Sequence, residues 1–452
     1  MAWLSLVALV AACGDDDGDT TDTDVDAFVE VDMGGPGEDS GPPDLGTDAF
    51  VPGCTEGCDI VEVSAGGDFS CARRENGEVL CWGANLVGQL GDGNMRHGAA
   101  CGMTGVEPRD CSAEPVEVAL IEAVSIESES ASTCAVDPDG DMWCWGLSDN
   151  LEEGGGGSRR RLFTPEERTG FTSIDSFGKG SRHTCAIQGD GTLLCAGQGE
   201  SGQLGLTDFE DHPTPMAVTL ADPLEIVASG DFACARTASE VLCWGDNLGG
   251  QLGDDMGHET CGTMPNTYDC SATPVAVTFT GIDGSNVTQL AVGAAHACAL
   301  IDDGTVQCWG FNAAGQVGGT PGTDVVVPTE IAGLSSVISI AAGLDNSCAI
   351  VDGGDVKCWG SNREGQLGDG EEVGAHTACM NVRGEDIDCS ETPVDVALTE
   401  GATQLAVGNR HVCALGESGS VWCWGWNDQR QLGPNGNADR TRSVSPVEVT
   451  GF

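Results

Sequence analysis

The sequence is poor in lysine, in aromatic residues and in positive charge. Only Lys179 and Lys357 are lysines, aromatic residues make up 5% of the 452 residues, and there is a single tyrosine. Lys and Arg number 18 against 72 Asp and Glu, which gives a formal net charge of -54. Because so acidic a chain repels the phosphates of DNA and RNA, we exclude nucleic-acid binding as a function.

Long apolar runs are also missing, since the apolar segment at residues 1–12 is too short to span a bilayer. It ends at Val10-Ala11-Ala12-Cys13-Gly14, which resembles the lipobox of a bacterial lipoprotein. No Lys or Arg precedes the apolar run, and this departs from the lipoprotein pattern. We expect residues 1–13 to be the signal and lipobox and Cys13 to carry a lipid, the one predicted attachment to a membrane. An ordinary secretory signal is the alternative.

Residues 14–53 contain 13 acidic residues and no basic ones. Such a segment cannot bury a core, so we expect a disordered acidic linker. Its run of Asp15, Asp16 and Asp17 is interpreted as a solvated spacer, with calcium binding as the alternative. The remaining chain keeps 59 acidic and 18 basic residues, a net charge of -41.

Glycine and cysteine, by contrast, are abundant. The 68 glycines are about twice the usual share and predict frequent turns. The 23 cysteines exclude an ordinary protein of the reducing cytosol unless they bind metals. Cysteine content and lipobox together favour an extracytoplasmic location in the cell envelope, at the outer membrane or cell surface.

A repeated unit begins near Val61. Each unit has an alternating apolar strand, Cys-Ala, a turn, Cys-Trp-Gly, then Asn and Gly-Gln-Leu-Gly, and ends near Pro-Val-x-Val. Seven units of about 50 or 64 residues, rich in short strands and glycine, predict an all-β, seven-bladed β-propeller of antiparallel blades in residues 54–452. The predicted repeats are 59–121, 122–171, 172–223, 224–286, 287–334, 335–401 and 402–452. We expect the strand near residues 446–449 to complete a blade begun near residues 60–63, which would hide the sheet edges.

The units resemble regulator-of-chromosome-condensation repeats. The resemblance is carried in the fifth unit by His296-Ala-Cys-Ala, Cys308-Trp309-Gly310, Asn312 and Gly315-Gln316, and it covers about residues 59–452. Two units depart from it: the second has Leu151-Glu152-Glu153 where Gly-Gln-Leu-Gly belongs, and the third has Ala196 where Trp is expected. The resemblance implies a seven-bladed propeller. It also implies two activities known in the family, nucleotide exchange on a small GTPase and inhibition of β-lactamases.

Each unit contributes one cysteine pair around a hairpin turn. In six pairs nine residues separate the cysteines, and a glycine stands where a three-residue loop wants a left-handed conformation. The two cysteines then lie opposite each other at a spacing that suits a disulfide. Zinc binding is the alternative, but these cysteine pairs lack the short spacing that is typical of zinc knuckles. The predicted disulfides are Cys71–Cys81, Cys134–Cys144, Cys185–Cys195, Cys234–Cys243, Cys298–Cys308, Cys348–Cys358 and Cys413–Cys423.

The first, fourth and sixth units carry inserts with their own cysteine pairs, and each pair ends in Asp-Cys-Ser after an upstream His. The pairs are Cys101–Cys111, Cys261–Cys270 and Cys379–Cys389, and Cys54–Cys58 remains as a loop bridge. Insertions at matching places in a repeat protein tend to share one face. The candidate binding residues of these loops are His97, Arg109, Asp110, His258, Tyr268, Asp269, His376, Arg383 and Asp388.

Three interpretations of the inserts stay open: a metal site of His and Asp, a purely structural loop capped by its Asp, and a stiffened loop that contacts a partner. The ligand sets are incomplete, so we expect no metal and no cofactor. His183, His296 and His411 recur at one position of the repeat. The tryptophans of the Cys-Trp-Gly triplets recur at another, and both sets are interpreted as structural. The calcium-like spacing of Asp137, Asp139 and Asp141 is interpreted as a hairpin turn.

No nucleophile–base pair or phosphate-binding motif is recognisable, and the blades differ mainly in their loops. The sequence therefore predicts a non-enzymatic, surface-tethered, monomeric binding module that recognises an envelope or secreted protein or a glycan through the loops of blades 1, 4 and 6. The alternatives are an inhibitor or regulator of a secreted enzyme, nucleotide exchange on a small GTPase, and an enzyme in the central cleft.

Overall fold

A computed structural model describes residues 59–97, 99–104, 107–119, 121–148, 160–263, 266–380, 386–436 and 441–452. The predictions for Cys13, for the linker at residues 14–53 and for Cys54–Cys58 lie outside these residues. Across the described ranges the chain is almost entirely β-structure, and one 3-10 helix spans Gly284–Asn286. Within these ranges no helix is long and apolar enough to cross a membrane.

Thirty-one strands of the described chain form seven antiparallel sheets. Blade 1 holds β1 (Ile60–Ala65), β2 (Phe69–Arg74), β3 (Val79–Ala84), β4 (Ala99–Thr104) and β5 (Glu107–Glu117), and blade 2 holds β6 (Ser125–Glu129), β7 (Ser132–Val136), β8 (Met142–Leu147) and β9 (Arg161–Glu167). Blade 3 holds β10 (Ile174–Lys179), β11 (His183–Gln188), β12 (Leu193–Gly197) and β13 (His212–Ala217), and blade 4 holds β14 (Pro223–Ser229), β15 (Phe232–Thr237), β16 (Val241–Asp246), β17 (Glu259–Thr263) and β18 (Asn266–Ala276). Blade 5 holds β19 (Val287–Val292), β20 (His296–Ile301), β21 (Val306–Gly310) and β22 (Val325–Glu330). Blade 6 holds β23 (Val337–Ala342), β24 (Asn346–Val351), β25 (Val356–Ser361), β26 (Thr377–Met380) and β27 (Asp386–Asp395), and blade 7 holds β28 (Ala402–Val407), β29 (His411–Gly416), β30 (Val421–Trp426) and β31 (Arg442–Val449).

The first strands of the seven blades form the centre of the molecule. Each contacts the first strand of the next blade, in the circle β1, β6, β10, β14, β19, β23, β28 and back to β1. In blades 2, 3, 5 and 7 the later strands follow outward in chain order, whereas in blades 1, 4 and 6 the last strand pairs with the third and the fourth strand of the chain lies outermost. The predicted seven-bladed β-propeller is confirmed.

The predicted closure of the ring by a shared blade is wrong. Strand β31 pairs with β30 and strand β1 pairs with β2, so every blade is one continuous stretch of chain. Residues 402–449 supply four strands of their own, and the seventh blade needs none from the N-terminal end. The ring closes by packing of β1 against β28 and β29, with a 2.9 Å hydrogen bond from the backbone N–H of Val63 to Gln404 Oε1.

The cores lie between blades, and a tryptophan joins most neighbours. In six blades the indole Nε1 of the Cys-Trp-Gly tryptophan donates to a backbone carbonyl of the preceding blade, at 2.8–3.0 Å. The pairs are Trp82–Gln431, Trp145–Gln89, Trp244–Gln203, Trp309–Gln251, Trp359–Gln316 and Trp424–Gln366. These contacts are the inter-blade packing that the repeat predicts. The third blade has Ala196 at this position, so its contact with the second blade lacks the indole donor.

The hairpin cysteines face each other as their spacing predicts. The seven repeat pairs have Cα–Cα distances of 4.0–4.1 Å, the close spacing of a non-hydrogen-bonded antiparallel pair. Gly77 adopts φ +90° at the third loop position, a conformation that a side chain would strain. In the fourth blade Thr237 N–H bonds Glu240 O at 2.9 Å, which makes the shorter loop a two-residue turn.

Candidate functional site

The three inserts emerge on one face of the propeller. Each follows the third strand of its blade, at the end where the first and second strands are also joined. The second–third hairpins and the links between blades lie at the opposite end. We call the end with the inserts the insert face and the other end the hairpin face.

Each insert folds into an extra hairpin outside the fourth strand of the ordinary blade pattern. Strand β4 pairs with the extended start of β5, and β17 with β18 and β26 with β27 do the same. The structure places Cys101–Cys111, Cys261–Cys270 and Cys379–Cys389 across these hairpins, with Cα–Cα distances of 5.9 Å. With the seven repeat pairs this makes ten disulfides in the described part of the chain, and they indicate an oxidising, extracytoplasmic environment.

In the first insert a histidine lies between two carboxylates. Asp110 Oδ1 accepts a 2.7 Å hydrogen bond from the backbone N–H of His97, and its Oδ2 lies 3.0 Å from His97 Nδ1. His97 Nε2 lies 2.9 Å from Asp92 Oδ2. We call this arrangement of His97, Asp92 and Asp110 a His clamp.

The fourth blade repeats the His clamp. His258 Nδ1 lies 3.2 Å from Asp269 Oδ2 and His258 Nε2 lies 3.3 Å from Asp254 Oδ2, while the backbone N–H of His258 donates to Asp269 Oδ1 at 2.8 Å.

The sixth blade carries the third His clamp. His376 Nδ1 lies 3.2 Å from Asp388 Oδ2 and His376 Nε2 lies 2.8 Å from Asp369 Oδ2, while the backbone N–H of His376 donates to Asp388 Oδ1 at 2.9 Å. The structure therefore brings the predicted His and Asp of each insert together.

Each clamp is tied to the body of its blade by an asparagine of the repeat. Asn85, Asn247 and Asn362 donate from Nδ2 to the Asp-Cys-Ser aspartate at 3.0, 2.5 and 2.7 Å. The asparagine Oδ1 also accepts from the backbone N–H of the Leu in Gly-Gln-Leu-Gly, which orders the loop. The aspartate thus connects the insert to its blade and caps the insert loop, as expected if the inserts are structural.

The second carboxylate of each clamp is not among the predicted site residues. Asp92, Asp254 and Asp369 directly follow Gly-Gln-Leu-Gly, whereas the short third, fifth and seventh units have Leu206, Gly319 and Pro434 after the corresponding segment. The signal was present in the sequence: Gly-Gln-Leu-Gly-Asp occurs only in the three units that carry an insert.

In the first and sixth blades the two carboxylates of the clamp favour a protonated histidine. Burial lowers the pKa of His97, but the hydrogen bonds and charges of Asp92 and Asp110 outweigh it, so the pKa is raised above its usual value. The pKa of His376 is raised for the same reasons by Asp388 and Asp369. Among the described residues no group of three or more His, Cys, Asp and Glu side chains is arranged to hold a metal ion. The clamp acts as a hydrogen-bonded brace.

The braced loops expose apolar side chains at matching places. Leu86 and Met95 of the first blade are 47% and 66% exposed, and Leu248 and Met256 of the fourth are 41% and 66% exposed. Tyr268 is half-buried and its hydroxyl lies 2.8 Å from Ser201 Oγ, which links the fourth-blade insert to the third blade. The Arg109 side chain and Arg383 lie outside the described part of the structure.

The recurring histidines His183, His296 and His411 are fully buried, at the structural position that the repeat predicts. His296 Nε2 lies 2.9 Å from Ser347 Oγ and His411 Nε2 lies 2.8 Å from Ser70 Oγ, each in the next blade. His183 faces no such hydroxyl, because its neighbour at this position is Ala233. Burial lowers the pKa of these histidines, to about 4 for His411 and about 3 for His296; for His183 (about 3) the nearby charge of Lys179 lowers it further.

An ionisable cluster at the inner strands of blades 2 and 3 was not predicted. Glu127 and Lys179 occupy strand positions that hold small or apolar residues in most other blades. Lys179 is buried, and its Nζ donates a 2.7 Å hydrogen bond to the backbone carbonyl of Gly180. Burial raises the pKa of Glu127 to about 8 and that of Glu129 to about 7. A comparison of equivalent positions across the seven units reveals both residues as exceptions.

Asp137 forms the predicted hairpin turn. Its Oδ1 accepts from the backbone N–H groups of Asp139 and Asp141 at 3.0 and 2.9 Å, and its Oδ2 accepts from Trp143 Nε1 at 2.9 Å. The carboxylate is thus engaged in the turn itself.

Comparison with known proteins agrees with this architecture. Residues 96–452 match the family model described as RCC1-like domain, and residues 60–89 match the regulator of chromosome condensation (RCC1) repeat. The chain belongs to the RCC1-like domain family.

Among RCC1-like proteins of known sequence, the ultraviolet-B receptor UVR8 of Arabidopsis thaliana is 27% identical over 406 residues, which cover 87% of this chain and 83% of UVR8. The E3 ubiquitin-protein ligase HERC2 of Mus musculus is 27% identical over 281 residues, 61% of this chain but 5% of HERC2. Among solved structures, human WBSCR16 aligns with a TM-score of 0.62 at 19% identity, over 80% of this chain and 88% of that one. Prp20p of Saccharomyces cerevisiae aligns with a TM-score of 0.61 at 20% identity, over 80% and 84%. These two structures share the propeller fold.

Proposed function

We propose that this RCC1-like propeller is an extracytoplasmic, non-enzymatic binding module whose insert face recognises an envelope or secreted protein or a glycan. The observation that supports it best is the threefold recurrence of one construction. Blades 1, 4 and 6 each carry an extra hairpin on the same face, each with a disulfide and a His clamp. The other four units have no second cysteine pair in their sequence.

Bracing of the loops favours binding over a purely structural role. A loop that is already ordered loses less conformational entropy when a partner docks, so more of the contact energy appears as affinity. The exposed Leu86, Met95, Leu248 and Met256 lie in or beside braced segments of the insert face. Methionine side chains are flexible and polarizable, and they are frequent at surfaces that bind other proteins. The exposed leucines and methionines therefore favour a protein over a glycan as the partner.

The proposed location is the cell envelope. The ten disulfides support an oxidising compartment, and Cys13 in its lipobox supports a lipid anchor at the outer membrane or cell surface. In this arrangement residues 14–53 are a spacer, and the propeller is a monomer held at a distance from the membrane by its acidic linker.

Inhibition or regulation of a secreted enzyme is the second candidate, and it uses the same surface. Stoichiometric loss of one enzyme's activity on addition of the propeller distinguishes it from simple capture. Nucleotide exchange on a small GTPase is not favoured, because the disulfides belong to an oxidising compartment.

The experiment is affinity capture from envelope and medium extracts with the oxidised chain, followed by a dissociation constant for each purified partner. We expect the combined variant Leu86→Ser, Met95→Gln, Leu248→Ser, Met256→Gln to weaken binding at least tenfold. The control is Met216→Gln on β13, which is 44% exposed outside the inserts and should leave binding unchanged. Chelator should have no effect. Equal binding by the combined variant and the wild type would reject the insert face as the binding surface.

A further inference from the structure

The hairpin face, opposite the inserts, carries a second set of exposed apolar side chains on the circle of first strands. They occupy equivalent positions in four blades, where Val61 is the second residue of the first strand, β1. Val61 is 41% exposed, Val124 49%, Leu224 55% and Ile338 58%. The equivalent residues of the other three blades are Asp175, Thr288 and Thr403, which are also exposed. We call these seven residues the collar.

The collar is exposed because of the local backbone. In six blades the first strand has a register shift at this residue, so that it lies in a β-bulge without a partner on the second strand. In the first blade Ile60, directly before the collar residue, and Val63, two residues after it, are buried. In these six blades the bulge therefore turns one residue of the innermost strand out of the core.

Folding alone does not account for the apolar members of the collar. Strand propensity favours threonine about as well as valine and isoleucine, and Thr288 and Thr403 fill the position in blades 5 and 7. Leucine has no such preference, yet Leu224 is more than half exposed. Because the innermost strands form a closed circle, these side chains surround one axis rather than being scattered over the surface.

Carboxylates surround the collar. The turns between second and third strands lie on this face, and six of the seven hairpins carry an exposed acidic residue in the turn. These residues are Glu75, Asp139, Asp190, Asp302, Asp303, Asp352 and Glu417. No Lys or Arg occupies any of these turns. The face thus presents an apolar ring inside an acidic rim.

We propose that the collar is a second docking surface, for a protein segment whose apolar side chains are flanked by Lys or Arg. Apolar side chains of that segment contact Val61, Val124, Leu224 and Ile338, and its cations face the turn carboxylates. A second copy of this chain does not fit, because its own acidic rim would meet a like charge. A bilayer with anionic lipids is repelled by the same rim.

The test uses a fluorescent 14-residue peptide of Leu and Lys, with Leu at helical spacing, and a control peptide in which each Leu is Ser. The protein is the oxidised full chain with Cys13→Ser, so that no lipid is attached. We expect the Leu peptide to bind at least tenfold more tightly than the Ser peptide of equal charge, as measured by fluorescence anisotropy. Binding should weaken at 0.5 M NaCl, because exposed charges are screened.

The decisive variant carries Val61→Thr, Val124→Thr, Leu224→Thr and Ile338→Thr, and it should bind the Leu peptide at least tenfold more weakly. Threonine already occupies this position in two blades, so the thermal unfolding midpoint should change little. The converse variant, Thr288→Val with Thr403→Val, should bind more tightly. Glu75→Gln with Asp139→Asn and Asp352→Asn should reduce both the affinity and its salt dependence.

The insert variant Met95→Gln with Met256→Gln is the control for the opposite face and should leave peptide binding unchanged. The collar and the proposed insert-face function can therefore fail separately. Unchanged peptide binding by the threonine variant would overturn the proposal. So would collar-dependent binding of neutral phosphatidylcholine vesicles, which would identify a lipid surface as the occupant.

Discussion

The indole Nε1 of Trp82 in the first blade donates a 2.9 Å hydrogen bond to the backbone carbonyl of Gln431 in the seventh. The two residues are 349 positions apart in the sequence, and their contact joins the ends of the ring. Phe452 packs edge-on against the same indole at 5.6 Å between ring centroids. Closure of the propeller thus uses the same contact that joins most neighbouring blades.

Trp82→Phe should lower the free energy of unfolding by about 1 kcal/mol, because an aromatic ring remains while the carbonyl of Gln431 loses the indole donor and keeps only the hydroxyl of Ser70, at 3.2 Å. Urea unfolding of the oxidised protein measures the change. Trp143→Phe is the matched control: Trp143 is only half-buried and donates to Asp137, so its loss should be smaller. Equal stability of the Trp82 variant and the wild type would show that the indole bond does not stabilise closure.

Ala233→Ser should stabilise the protein by about 1 kcal/mol, because it offers His183 the hydroxyl that Ser70 offers His411 and Ser347 offers His296. Ser70→Ala and Ser347→Ala should each cost about 1–3 kcal/mol, since each leaves a buried imidazole unpaired. The urea midpoint is the measurement for all three variants. A loss of stability in Ala233→Ser would mean that the site has no room for the hydroxyl.

The two classes of histidine should respond to pH in opposite directions. The raised pKa values of His97 and His376 mean that their clamps stabilise the fold below about pH 6.5 and lose this contribution as the pH rises through the folded-state pKa. The pKa of His411, lowered by burial to about 4, means that its contribution is present above about pH 6.5 and is lost as the pH falls toward 4.

Amide hydrogen exchange followed by mass spectrometry separates these effects. Corrected for intrinsic exchange, protection of the β4–β5 hairpin should fall between pH 5.5 and pH 9, and His97→Gln should remove that dependence. Protection of β29 should instead fall on acidification. Clamp hairpins that open on acidification would contradict the assigned direction.

Glu127→Gln should raise the free energy of unfolding above that of the wild type, and this gain should be at least about 1 kcal/mol larger at pH 9 than at pH 5. Burial raises the pKa of Glu127 to about 8, so its stabilising protonated form is lost as the pH rises through that value. Glutamine has nearly the same shape and cannot ionise. Urea unfolding at both pH values gives the difference, and Glu75→Gln, at an exposed turn, should show none.

The sequence anticipated local features better than contacts across the ring. Cys71 and Cys81 are paired through a short hairpin whose loop sets their register, so spacing alone was sufficient. In the clamps, His97 and Asp110 were recognised because both flank one insert. Asp92 was missed because its role depends on the insert folding back over the Gly-Gln-Leu-Gly segment.

The number of blades and the position of the inserts follow from the repeat pattern, because nearby residues form the turns and hairpins of each unit. Closure of the ring depends instead on packing between distant parts of the chain. A C-terminal strand near Pro446 can pair with either terminal blade as far as its pattern shows, and the choice depends on how residues hundreds of positions apart pack. The structure likewise decided that His183 lacks the partner of His411, since that difference depends on one residue of the neighbouring blade.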